Sequence, residues 1–288
     1  DHGHDGPLWF PRAVDNIGHP LYAPYPGEDP VAENFTSALL CPDDAASAAT
    51  AAAGNEPAAA QTAASVPLPV LRTVASIPGR GLDITLTVDV ARFTGSPAHM
   101  TTRAYNGSFP GPVLRVRRGD NIRIRVVNKL GHAGEESNAN RTNLHLHGMH
   151  MPATAYEEAS NSCGDDVTTC IVQPQQSITY KYKVDQDHPS GTFWYHPHVH
   201  GATALQVGGL MAGMLIVEDE PDETSHELDA MVEVLLVLQM QYWDSLGVAT
   251  HDTISAQVHD TLNMDVSGPR ANYILANGRH KPVVSMVA

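Results

Sequence analysis

Residues 82–90, 121–126 and 178–184 alternate apolar and polar side chains with the period of two that marks a half-buried strand. Shorter strands fit 113–116, 143–147, 192–196 and 214–217. Turn formers separate them: Asn106-Gly107, Pro110-Gly111-Pro112, Gly119-Asp120, Pro189-Ser190-Gly191 and Gly208-Gly209. A clean alternation, one face buried and one wet, reads as antiparallel pairing. Many short strands at this spacing predict an all-β sandwich or barrel. No helical segments alternate with the strands, so a βαβ fold is disfavoured. The strongest apolar run, 231–238, is short and interrupted by Glu233, and it reads as a buried strand ending near Gln239. Residues 255–269 read as a polar loop, and 272–278 as a further strand and turn.

The pattern divides the chain. Residues 1–75 form a Pro/Ala-rich leader: Pro7, Pro11, Pro20, Pro24, Pro26 and Pro30 punctuate its opening, and 45–65 is alanine-rich with Gly54 and Pro57 interrupting it. Few large apolar residues are present there to dock a helix, so the leader is predicted to be largely irregular. His2, His4 and His19 read as part of a solvated tail. Residues 76–220 form one sandwich domain, and 221–288 a linker and the opening of a second domain that stops early, so the chain reads as a fragment.

Composition narrows the function classes. The 288 residues are 42% hydrophobic, enough for packed cores in two domains. With 17 basic and 32 acidic residues the net charge is -15, which argues against nucleic acid or an anionic membrane as the main partner. No apolar run approaches the ~18 residues of a membrane span. None of the 3 cysteines sits in a Cys-x-x-Cys pair, so a zinc ribbon is disfavoured. Cys163 and Cys170 are close enough to close a small disulfide loop, leaving Cys41 odd. Sequons stand at Asn34, Asn106 and Asn140. Together these features lean toward a secreted, extracellular or periplasmic protein.

The candidate chemistry lies in two short motifs, His145-Leu146-His147-Gly148 and His196-Pro197-His198. On an extended strand, His-x-His aims two imidazoles the same way, about 6–7 Å apart at the backbone. That spacing suits a cluster of ions better than one ion gripped by one pair. Neutral imidazole favours copper, zinc, iron and nickel. One such pair is more often surface or packing than ligand; two pairs on aromatic or apolar strands, each followed by a glycine, point to a multinuclear site, with copper foremost. Met149, Met151, Met211 and Met214 are irregularly spaced and read as core fillers. Trp194 and Tyr195 read as packing residues that stiffen a ligand strand.

From Arg103 to Asp219 the ordered motifs resemble the multicopper oxidase family, in its laccase-like and bilirubin-oxidase-like branches. Tyr105-Asn-Gly-Ser-Phe-Pro-Gly-Pro112 with Arg118-Gly-Asp120 is similar to the family's first-domain opening. The two histidine motifs, Gln206-Val207 and 211–217 are similar to its two copper motifs and their tail. Asn277-Gly278 and Pro282 resemble the start of its second domain. The resemblance implies a cupredoxin-like Greek-key β-sandwich contributing to a three-copper cluster. It implies His145 as a type 2 copper ligand, and His147, His196 and His198 as type 3 ligands. His150 and His200 fall outside the pattern. It further implies a carboxyl proton donor in the loop between the motifs, where Asp165 and its neighbour Asp166 compete. The cysteine of the family's blue (type 1) copper, and its third and fourth histidine motifs, have no counterpart here. They are expected in C-terminal cupredoxin domains beyond this chain, or on a partner.

The function so implied is a copper-dependent oxidoreductase. It would couple one-electron oxidation of a phenol, aromatic amine, tetrapyrrole or metal ion to four-electron reduction of dioxygen to water. The alternatives are a copper-binding cupredoxin-like module without turnover and a metal-free structural sandwich. The isolated chain is expected to lack oxidase activity, because four histidines leave a three-copper cluster under-coordinated.

Overall fold

The computed structural model describes residues 66–134, 138–220, 223–224, 226–241, 266–267 and 273–283. The expectations for His2, His4, His19, Asn34, Cys41 and the alanine-rich stretch lie outside these residues. The strands are β1 Thr73–Ala75, β2 Leu82–Phe93, β3 His99–Tyr105, β4 Val113–Val116, β5 Asn121–Asn128, β6 His145–His147, β7 Ser162–Cys163, β8 Ser177–Lys183, β9 Gly191–His196, β10 Gly213–Val217, β11 Leu238–Gln241, β12 Val266–Ser267, β13 Tyr273–Ala276 and β14 Arg279–His280. Two short helices accompany them, α1 Thr203–Gly208 and α2 His226–Asp229. No helix among the described residues is long and apolar enough to cross a membrane.

Two sheets build an all-β sandwich. One runs β1-β4-β10-β9-β6 and the other β12-β3-β2-β5-β8-β7. The apolar positions of the alternating strands meet between them: Leu82, Leu86, Ile122, Ile124, Tyr180 and Tyr182 from the larger sheet face Leu114, Val116, Leu146, Tyr195, Leu215 and Val217 from the smaller. The polar alternates of β5 and β8, Arg123, Arg125, Lys181 and Lys183, stay exposed. One expectation needs correction. The sheets are mixed, with β2 parallel to β5, β4 parallel to both β1 and β10, and β7 parallel to β8. Alternation reports which face is buried and carries no information on strand direction.

Further corrections concern the flanks. Thr73–Ala75, inside the stretch expected to be irregular, pairs with β4 as an edge strand. Val266–Ser267, expected in a loop, pairs with β3. The run 231–238 is irregular as far as Val237, and Met231, Val232, Val234 and Leu236 are exposed. Only its alternates Leu235 and Val237 pack, against Val113, Met214 and Ile216. Arg115 on β4 ties this segment down by ion pairs to Glu218 and, at 2.7 Å, to Glu233. Beyond it, β11-β13-β14 form a three-stranded sheet whose Tyr273 and Leu275 pack on Phe93 and Met100.

The expected disulfide joins Cys163 to Cys170, with Cα atoms 5.8 Å apart. Of the described sequons, Asn106 is exposed in a turn, whereas Asn140 is buried and accepts a hydrogen bond from the Arg103 guanidinium at 2.5 Å. The four methionines read as fillers bear this out in part: Met149, Met211 and Met214 are buried and Met151 packs against the core.

The second ligand strand is held by Tyr195. Its ring is fully buried, packs on Tyr105 at 5.2 Å between centroids and donates its hydroxyl to Pro112 O at 2.7 Å. It lies across Gly213, its partner in register, so that a Cβ there would stand 2.1 Å from the ring. Gly213→Ala is therefore expected to cost about 1–3 kcal/mol through overpacking. Urea unfolding of the variant checks this; an unchanged midpoint would mean that the ring can shift.

Candidate metal centre

The two histidine motifs are neighbours in the smaller sheet. Strand β6 pairs antiparallel with β9, setting His145 opposite His196 and His147 opposite Trp194. Each strand end is fixed by local chemistry. After His147 the chain turns through Gly148, whose φ of +82° suits a residue without a Cβ. Asn143, buried ahead of β6, accepts the His198 backbone N–H at 2.5 Å and donates to Val167 O at 3.1 Å. Gln206 on α1 is also buried. It accepts the Thr142 hydroxyl at 3.0 Å and donates to Arg141 O at 2.7 Å. Both motifs are thus tied to each other through side chains as well as through the sheet.

This framework brings three of the four predicted histidines into one cluster. A ring nitrogen from each of His145, His147 and His196 lies within 4.8 Å of the others. His147 Nδ1 and His196 Nε2 are 3.2 Å apart. His198 is exposed and its ring nitrogens fall outside that set, although its ring centroid is 5.2 Å from that of His145 and 5.8 Å from that of His196. Trp194 stacks on both neighbours, 4.0 Å from the His196 ring and 4.8 Å from the His147 ring. That contact fits the packing role expected of it.

The outer nitrogens meet acceptors. His145 Nδ1 lies 2.9 Å from Asp165 Oδ2, and His196 Nδ1 lies 2.9 Å from Pro197 O. A carboxylate or carbonyl at Nδ1 fixes the proton there and leaves Nε2 with a free lone pair, the tautomer a metal requires. Burial, with the neighbouring imidazoles a lesser cause, pulls His196 down to about 4, so it is neutral at pH 7.

Asp165 and Asp166 separate cleanly. Asp165 is nearly enclosed and spans two acceptor roles, Oδ2 toward His145 and Oδ1 to the Leu146 backbone N–H at 3.1 Å. Asp166 turns away and closes its own loop, accepting from the Thr168 and Thr169 hydroxyls at 2.6 and 2.8 Å. Those hydrogen bonds, led by Thr168, lower its carboxyl to about 2. The disulfide closes the loop that carries both acids. His200 is exposed, and His150 is exposed beside the buried His188. Asn143 and His188 escaped the sequence reading, since neither belongs to a motif and a buried polar side chain has no local signature.

Residues 87–222 match the family model described as multicopper oxidase. The chain is 26% identical over 181 residues to Multicopper oxidase mco of Staphylococcus haemolyticus, covering 63% of this chain and 34% of that protein. It is 31% identical over 170 residues to Laccase-2 of Thanatephorus cucumeris, covering 58% of this chain and 26% of that one. The crystal structure of a laccase from Pediococcus acidilactici Pa5930 superposes with a TM-score of 0.52 at 26% identity, over 76% of this chain and 42% of that one. The sandwich is a cupredoxin-like fold. The chain spans about a quarter to a third of the length of these curated relatives.

Proposed function

We propose that this chain, whose residues 87–222 match the multicopper oxidase family model, is a member of that family and supplies half the ligands of a trinuclear copper cluster in an oxidase that reduces dioxygen to water. The observation that carries this reading is the convergence of His145, His147 and His196, drawn from both motifs, with their ring nitrogens within 4.8 Å. The donor set fits copper: all three are imidazoles, and the Nδ1 atoms of His145 and His196 are already engaged by acceptors. The 3.2 Å between His147 Nδ1 and His196 Nε2 is the separation of two donors on one ion at bond lengths of about 2 Å. Bound copper supplies the one-electron couples and the centre at which oxygen is reduced.

The residues then divide the work. His145 serves a type 2 site, and His147, His196 and His198 serve the type 3 pair. Trp194 holds the His147 and His196 rings by stacking. Asp165 fixes the proton of His145 on Nδ1 and, as a carboxyl in contact with a cluster histidine, is suited to pass on the protons that oxygen reduction consumes. The type 1 copper and the remaining ligands belong to cupredoxin domains beyond this chain. Cys163 and Cys170 are joined to each other and offer no thiolate. The reducing substrate is a phenol, aromatic amine, tetrapyrrole or metal ion, and the setting is secreted or periplasmic, where the disulfide persists. His147 and His198 are exposed in this chain, and four histidines leave a three-copper cluster under-coordinated, so the chain alone is expected to be inactive.

Copper content and absorption of the complete protein test the proposal. About four coppers, a blue thiolate band and a near-ultraviolet shoulder from a coupled pair are expected. A single copper without either band would replace the oxidase with a copper-binding module.

A further inference from the structure

One histidine outside both motifs is wholly enclosed. His188, 1% exposed, sits in the loop that leads from β8 into β9. Its Nδ1 lies 2.8 Å from Pro189 O, which can only accept, and its Nε2 lies 3.0 Å from the His150 backbone N–H, which can only donate. The tautomer is dictated: the proton is on Nδ1 and Nε2 is the acceptor. With both nitrogens occupied, the ring is not available to a metal.

The ring connects the two motifs. His150 lies just past His147 and the Gly148 turn. Phe193, on β9 ahead of His196, meets the His188 ring edge-on at 5.3 Å. The same Phe193 abuts Gly148, 3.2 Å from where a Cβ would stand. Arg118 pins the loop from behind, donating to His188 O at 2.6 Å and to Ser190 Oγ at 3.3 Å. His188 thus joins the exit of the first motif to the entrance of the second, at the end of the β6–β9 pair away from His145 and His196.

We propose that His188 is a positioning residue. By holding the His150 backbone against the entry to β9, it sets the approach of His147 Nδ1 to His196 Nε2. Strand β6 has only three residues, too few ladder bonds to fix that approach alone. The inference rests on the copper-cluster reading above.

Two variants of the complete protein test it. His188→Phe keeps a ring against Phe193 and removes both polar atoms. His188→Gln keeps an acceptor for His150. Each is measured for amide exchange at His150 without metal, for retention of cluster copper against a chelator, and for the near-ultraviolet and blue bands. His188→Phe is expected to expose the His150 amide to faster exchange and to weaken cluster copper retention about tenfold, the scale seen when a ligand's supporting partner is lost. The blue band should stay unchanged, and His188→Gln should recover both properties. Wild-type copper retention in His188→Phe overturns the role. So does parallel loss of both bands with no rescue by glutamine, which marks general destabilisation. A wild-type protein that protects the His150 amide but lacks the near-ultraviolet band retires the cluster and this role with it, leaving His188 a loop anchor only.

Discussion

Replacing Asp165 by asparagine in the complete protein is expected to slow oxygen reduction at neutral pH by about 10- to 100-fold or more. The argument is one of donors and acceptors. Asp165 receives two N–H groups, one from His145 Nδ1 and one from the Leu146 backbone. An asparagine has only one oxygen for two donors. If that oxygen serves Leu146, the NH2 group faces His145 Nδ1, which must then become the acceptor. The ring proton moves to Nε2, where a metal needs a lone pair. If the amide flips, its NH2 opposes the Leu146 N–H instead and the loop is pushed away. Both outcomes weaken His145 as a metal ligand, and both remove a group that can ionise. Copper content separates the two effects: lost type 2 copper identifies the orienting role, whereas full copper with slow turnover that recovers at lower pH identifies proton supply. Wild-type turnover at neutral pH would remove Asp165 from the mechanism.

The sandwich is expected to unfold cooperatively within about two pH units above pH 10. Four core phenols, Tyr105, Tyr180, Tyr182 and Tyr195, are buried, and burial is the main cause that raises each above its ordinary value. Tyr180 and Tyr195 also donate to the carbonyls of Cys170 and Pro112, at 2.5 and 2.7 Å. The sign follows from which state holds the proton. Below about pH 10 both folded and unfolded phenols are neutral, so stability is unaffected. Above it the unfolded phenols ionise while the folded ones do not, and stability falls by about 1.4 kcal/mol per pH unit for each. Four together approach ~5 kcal/mol per unit, against a total domain stability of only ~5–15 kcal/mol. Tyrosinate absorbance and circular dichroism should therefore change together. Titration of these phenols near pH 10 with the circular dichroism unchanged would show them to be in contact with water.

What was legible in the sequence follows physical lines. Strand β4 appears over the predicted residues, and β2, β5, β8, β9 and β10 within a few residues of theirs, because each places its apolar side chains on one face. Strand β3 was missed because polar groups lie among its buried positions on both faces. Thr102 is buried by donating to Gly209 O at 3.1 Å, and Arg103 by reaching Asn140. Such residues enter a core only with a partner distant in sequence, which no local pattern displays. The same holds at the site. The histidine pairs announced themselves by spacing. The choice between Asp165 and Asp166 depended on how a disulfide-closed loop turns, and His188 became visible only through what its two nitrogens touch.

The length of the outermost strands bears on how this chain meets other proteins. Among the described residues both large sheets end in stubs: β1 and β6 have three residues each, and β7 and β12 two each. An edge strand this short presents too few free backbone groups of its own to template a foreign strand, which blunts edge-to-edge aggregation. Along the β6 border, where the imidazoles stand, an incoming surface gains little from backbone pairing. Recognition there falls to side chains, and a mispaired neighbour without matching donors finds little to hold.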